Sequence, residues 1–221
     1  MPDGAMARGA RVVILTAPAG NPTGPVDPAV AVAIRAGEAL IALDQNGRQV
    51  RVRGPYRGPL AQRIGHSPTP SRVAQFFQTI AKLFTTDDTS VLGVARGTEA
   101  VREIAISGTD TRMCVIDDEG VSIRWALPAH PERRRYEFHG DLPGTDFAVT
   151  LGRDTEMAGW FYTGGQRFQV RAAGEQVQNV TISDLRTVPG DTLLMSMFEA
   201  RCISQLEEMV KNLRHGDPAA G

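Results

Sequence analysis

Lysine is almost absent from this chain of 221 residues: it occurs at Lys82 and Lys211, and every other cation is arginine. That skew is the mark of a GC-rich bacterial genome more than of arginine chosen for bidentate recognition. An excess of one charge is absent too. The 24 basic and 25 acidic side chains leave a net charge of −1, so no global field favours nucleic acid or an anionic membrane. No apolar run approaches the roughly 18 to 20 residues that a membrane helix requires. The run nearest the start, Val12 to Leu15, is shorter than the ~7 to 15 residues of a secretory signal core, which predicts a soluble, unanchored chain. The small residues between Ala5 and Ala10 have the composition found near a cleavage site, so a trimmed start stands as the alternative.

Cysteine is scarce. Cys114 and Cys202 stand 88 positions apart, whereas a zinc site draws on three or four ligands, commonly in short local pairs. A catalytic thiolate needs a base and an electropositive pocket. Cys114 lies in RMCVID, which alternates like a buried strand, and Cys202 reads as lying on the apolar face of a helix; neither setting suggests activation. Two readings remain open: two buried thiols, or one long-range disulfide of the kind found outside the cytoplasm. In the chain-entropy description such a bridge stabilises by about 4 kcal/mol.

What is present is an ordinary globular composition, 42% apolar and 22% charged, enough to close a core without metals or many disulfides. The length suits one large domain or two small ones. Residues 1–10 read as a tail, RVVILT at 11–16 as a central strand, and APAGNPTGPVDP at 17–28 as loop. Residues 29–37 read as strand because Pro28 and Gly37 bound them closely. Residues 38–60 form the clearest local pattern: two strands joined at Asn46-Gly47, the strongest short signal for a type I′ turn, closed by Gly54-Pro55 and Gly58-Pro59. Thr69-Pro70 opens a helix over 70–84, with Val73, Phe76, Phe77, Ile80, Leu83 and Phe84 at helical spacing. Residues 86–108 read as a mobile connection. Beyond it, seven short apolar-alternating segments recur between turn residues, which suggests an antiparallel sandwich or barrel-like sheet with Trp125, Tyr136, Phe147, Trp160 and Phe168 in its core. One amphipathic helix over 192–214, capped by Asp191 and stopped by Gly216, closes the chain. The fold class is therefore mainly β (β-rich α+β), in two small β domains. The first spans 11–85 with its helix, and the second spans 109–215 with the closing helix.

Side chains that carry chemistry are dispersed. His66, His130, His139 and His215 share no ligand spacing, and the acidic group Asp117, Asp118, Glu119 before Gly120 lacks the spaced ligands and distal Glu of a calcium loop. No Ser occupies a nucleophile elbow, and the Gly-rich pieces lack a strand-loop-helix context. No metal and no cofactor is expected. The surface with a consistent sign is the hairpin, through Arg48, Arg51, Arg53 and Arg57, with Tyr56 as the aromatic among them. One aromatic is too little interleaving for nucleic acid, so protein is the expected partner of these five residues.

The segment AGEALIALDQNGRQVRVRGPYRGP, within residues 34–60, resembles the FecR-type small β domain of bacterial cell-envelope proteins, which carries a polar hairpin followed by a Gly-Pro corner. The second half, from MCVID through Trp125 and Pro128 to EARCISQLEEM, is similar to uncharacterised proteobacterial envelope proteins with a Cys-containing strand, a β-rich middle and a closing helix bearing a second Cys. The resemblance implies a periplasmic or envelope location and carries no catalytic residues. The sequence thus leans away from an enzyme and towards a non-enzymatic envelope adaptor, sensor or scaffold that binds a partner. Two alternatives remain: a cytoplasmic interaction subunit of a secretion or phage-like assembly, and a hydrolase-type enzyme whose site is assembled from distant acids and His139.

Overall fold

The computed structural model describes residues 12–64, 71–85, 101–105, 108–116, 122–126, 134–151, 160–161, 165–173 and 175–214. Among the described residues the fold is mainly β with three α-helices, and the chain separates into two compact units. The first takes residues 1–90, 188–199 and 203–221; the second takes 91–187 and 200–202.

The first unit is built on β1 (Val12–Thr16), β2 (Gly24–Val26), β3 (Ala31–Ile34), β4 (Ala39–Leu43), β5 (Gln49–Arg53) and β6 (Tyr56–Pro59). Its four-stranded sheet has the order β2-β1-β4-β5, and β3 and β6 pair as a separate ribbon. Both faces of the sheet are covered. Val12, Ile14, Leu40, Ala42 and Val52 meet Val32 and Ile34 of the ribbon, with Leu60 and Ile64. The opposite face meets helices α1 (Ser71–Thr85) and α3 (Ile203–Arg214), which pack on β1, so the intervening residues Val13, Leu15 and Leu43 are buried as well. This double coverage explains why β1 reads as a continuous apolar run instead of an alternation. The Phe stripe of α1 is core-facing, with Phe76 and Ile80 fully buried. Phe76 packs edge-on to Phe198, with ring centroids 5.4 Å apart. Arg214 donates to the carbonyl of Leu83 at 2.7 Å and lies over the Phe84 ring at 4.4 Å, putting a cation at the C-terminus of α1 where the helix dipole favours it.

The second unit holds β7 (Val101–Ala105), β8 (Thr111–Val115), β9 (Ser122–Ala126), β10 (Arg134–Gly140), β11 (Phe147–Leu151), β12 (Trp160–Phe161), β13 (Gln166–Ala172) and β14 (Glu175–Asp184). Five strands run β11-β10-β13-β14-β8, and three run β12-β9-β7. β13 alternates strictly between buried and exposed, as a sheet with one dry and one wet face requires. On the dry face Tyr136, Phe138, Phe168, Val170, Val180 and Ile182 form the core, joined by Ile104 of β7 and by Phe147 packed against them.

Several expectations are corrected. Residues 17–28 contain β2, and the stretch 86–108 contains β7, whose five residues are too short to show a period; its pairing with β9 supplies the order. The second unit is not purely antiparallel, because β8 runs parallel to β14 and β7 parallel to β9. The closing helix is two: α2 (Leu193–Glu199) and α3, interrupted at Arg201, whose φ of 61° lies in the left-handed region. Cys202 therefore sits in the break, not on a helix face. Both helices cluster with the first unit, and residues 200–202 between them belong to the second. Finally, the hairpin turn is not type I′, which needs positive φ at both Asn46 and Gly47. Gly47 has φ 76° and Asn46 is not left-handed. Instead the Gly47 N–H donates to the Asp44 carbonyl at 2.9 Å, while Asp44 Oδ1 accepts the N–H groups of Asn46 and Arg48 at 2.8 and 2.9 Å. The Asp side chain directs the turn.

Thr69, Pro70, Gly216 and residues 86–100 lie outside the described set, as do the side chains of Trp125 and Trp160.

Candidate functional site

The five residues singled out on the hairpin separate into two groups. Arg51 and Arg53 are exposed and share one face of β5, opposite Ile41 and Ala39 of β4; no acid stands across the ladder from them. Arg48 is exposed in the turn. Tyr56 and Arg57 belong to β6, in the ribbon, beyond the cis Gly54-Pro55 bond. They line an open cleft of about 480 Å³ together with Arg35, Glu38, Asn21 and Pro55. Tyr56 is fixed at both ends: its hydroxyl donates to the Pro59 carbonyl at 2.6 Å, and the Arg63 guanidinium lies over its ring at 4.7 Å.

Arg35 and Arg63 were not marked by the sequence pattern. Arg35 lies 16 positions before Arg51, and its main chain is brought to the hairpin by Gly54. A Cβ on Gly54 would fall 1.9 Å from the Arg35 carbonyl oxygen, so glycine is required there for the close approach.

Between residues 12 and 64 the chain has six arginines and three carboxylates. Each carboxylate is engaged by main chain. Asp27 accepts the Ala29 N–H at 2.7 Å, Glu38 accepts the Arg35 N–H at 2.8 Å, and Asp44 holds the turn. Among the described residues none forms an ion pair with Arg35, Arg48, Arg51, Arg53 or Arg57. In a chain whose net charge is −1, residues 12–64 thus carry an excess of basic over acidic side chains.

β5 is also a sheet edge. The Asp44 N–H donates to the Arg48 carbonyl and the Gly54 N–H to the Glu38 carbonyl, so the even-numbered residues from 48 to 54 face β4. Antiparallel alternation then turns the main-chain N–H and C=O of Gln49, Arg51 and Arg53 outward. Gln49 shows this directly, donating to the Asp191 carbonyl at 2.6 Å.

In the second unit, the wet face of the five-stranded sheet carries an open cleft of about 590 Å³ that includes Asp110, Arg112, His139, Asp141, Arg167 and Asn179. Cross-strand register places Arg112, Thr181 and Arg167 in one row, and Asn179, Gln169 and His139 in the next. The acids here brace the sheet: Asp110 accepts the main-chain and side-chain N–H of Asn179 at 2.9 and 3.1 Å, and Asp141 accepts the Arg167 N–H at 2.9 Å. His139 lies 3.9 Å from both Glu137 and Asp146. His66, His130, His215, Asp117, Asp118, Glu119, Asp154 and Glu156 fall outside the described residues. Among the described residues no three His, Cys, Asp or Glu are grouped to hold a metal ion, and no helix is long and apolar enough to cross a membrane.

Cys114 and Cys202 are joined in a disulfide with Cα atoms 5.9 Å apart, both buried within the second unit. Among the described residues, Asp184 is a carboxyl displaced from its ordinary state. The side-chain hydrogen bonds from Arg186, at 2.6 and 2.9 Å, lower its carboxyl below the ordinary 3.8, outweighing the opposing effect of burial.

Compared with known proteins, the chain matches no family model and no curated sequence.

Proposed function

We propose that this protein is a non-enzymatic binding protein of the bacterial cell envelope, an adaptor or sensor whose first unit is a FecR-type small β domain. The observation that carries the binding role is the set of exposed arginines at 35, 48, 51, 53 and 57, which have no ion-pair partner among the described residues, beside three carboxylates already engaged by main chain. Exposed charge of one sign favours encounter with a partner of the opposite sign. The buried disulfide is in keeping with an oxidising compartment such as the periplasm. The test is capture of envelope proteins from the host by the full chain under oxidising conditions, beside a variant carrying Arg51→Glu and Arg53→Glu. Partners retained by the wild type and lost by the variant support the reading. Partners retained equally by both, or none retained by either, overturn it.

A hydrolase-type reading has one observation in its favour, the position of His139 between Glu137 and Asp146 beside the cleft of the second unit. Turnover of ester or peptide substrates that disappears in His139→Ala would establish it in place of the adaptor.

A further inference from the structure

We infer that the outward edge of β5 receives an extended acidic polypeptide segment as an added strand, with carboxylates at alternate positions against Arg51 and Arg53. This names the partner of the binding role proposed above and rests on it.

Two independent features meet at this edge. The first is main-chain geometry. Gln49, Arg51 and Arg53 present N–H and C=O groups away from β4, and the Gln49 N–H is already taken by the Asp191 carbonyl at 2.6 Å. The edge therefore accepts main-chain pairing, and Asp191 marks where the open part begins. No described residue pairs with the main chain of Arg51 or Arg53. The second is charge. Side chains directly opposite one another across a ladder stand about 5 Å apart and interact by sign. Arg51 and Arg53 share one face of β5 and lack an ionic partner among the described residues. Arginines on an edge discourage pairing with a second copy of the same edge, which would set like charge against like. The same two charges favour a strand that places Glu or Asp at positions j and j+2. Strand addition draws affinity from main-chain hydrogen bonds and specificity from alternate side chains; here the edge supplies the first and Arg51 and Arg53 the second. Two residues past Arg53 the cleft with Arg35 and Arg57 begins at Pro55, which extends the cationic surface beyond the edge itself.

The experiment uses the full chain and a synthetic heptapeptide, acetyl-Thr-Glu-Val-Glu-Val-Glu-Thr-amide. Its probes for comparison are the same peptide N-methylated at alternate residues, and inorganic polyphosphate. Binding is measured by titration, and the amides of Arg51 and Arg53 by hydrogen exchange. The inference expects exchange at both amides to slow about tenfold in the complex, and the Arg51→Glu, Arg53→Glu variant to raise Kd at least about tenfold while its thermal melt stays that of the wild type. N-methylation abolishes binding, and raising salt from about 0.05 to about 0.5 M weakens it. The inference is overturned if the heptapeptide does not bind at about 1 mM. It is equally overturned if N-methylated peptide and polyphosphate bind as well as the heptapeptide with exchange at Arg51 and Arg53 unchanged, since the surface then reads polyanions in general. Either failure leaves the broader binding role standing if the wild-type chain still captures envelope proteins that the Arg51, Arg53 variant loses.

Discussion

Cys114 lies between Met113 and Val115, which fill the core of the second unit, and is fully buried in its disulfide with Cys202. β8 is an edge strand of the five-stranded sheet, so the disulfide fastens an edge to a segment 88 residues further along the chain. Closing a loop of that length restricts the unfolded chain by about 4 kcal/mol in the entropic description. Replacing both cysteines with serine is expected to destabilise the second unit by about that amount, and reduction of the wild type to give the same shift. Denaturant melts with and without reductant measure it; a loss below about 1 kcal/mol would show that the second unit does not depend on the bridge.

Gly54 carries the close approach between the hairpin and Arg35. Gly54→Ala places a methyl 1.9 Å from a main-chain oxygen, and neither backbone can yield without disturbing the β3–β6 ribbon. A loss of about 3 kcal/mol or more is expected. Gly190→Ala, with nothing within 4 Å of the new methyl, is the control and should stay within about 0.5 kcal/mol of wild type. Equal melting temperatures for the two variants would remove the packing role assigned to Gly54.

Much of this was legible in the sequence because it is local. Alternation in β5 set Val52 inward and Arg51 and Arg53 outward, and the structure places them so. The spacing of Val73, Phe76, Ile80 and Leu83 put them on the buried face of α1, where they are. What was not legible depends on distant partners. Nothing near Arg201 announces a helix break, which falls directly before Cys202, the residue bonded to Cys114 88 positions earlier. The parallel pairings of β8 with β14 and β7 with β9 join strands that are not neighbours in sequence, and no turn residue encodes them. The candidate site divides in the same way. Arg51 and Arg53 follow from the strand period, whereas Arg35 enters through a contact that Gly54 makes possible.

Phe138 stacks on Phe147 with ring centroids 4.4 Å apart and planes 4° from parallel, and it is fully buried. Phe138→Ala removes a large side chain from the middle of the second unit's core and is expected to cost about 3 to 5 kcal/mol. Phe138→Leu keeps most of the volume and should cost clearly less. Denaturation followed by near-ultraviolet circular dichroism orders the three proteins; a leucine variant as unstable as the alanine one would mean that the stacking, not the volume, holds this core.

Asp184 and Arg186 give the acid limb of stability a defined sign. The Arg186 hydrogen bonds lower the Asp184 carboxyl below 3.8 in the folded protein, so the carboxylate stabilises the fold above the unfolded value near 3.9 and loses that contribution as pH falls through the depressed folded value. Both side chains are a little over one-quarter exposed, which limits the pair to about 1 kcal/mol. Arg186→Ala should therefore lower stability by about that amount at pH 6 to 7. The gap between variant and wild type should then narrow as pH drops below about 4 and close once Asp184 is protonated in both. Melting temperatures taken across that range test the sign: a gap that widens in acid would mean that Arg186 acts through packing, not through the carboxylate.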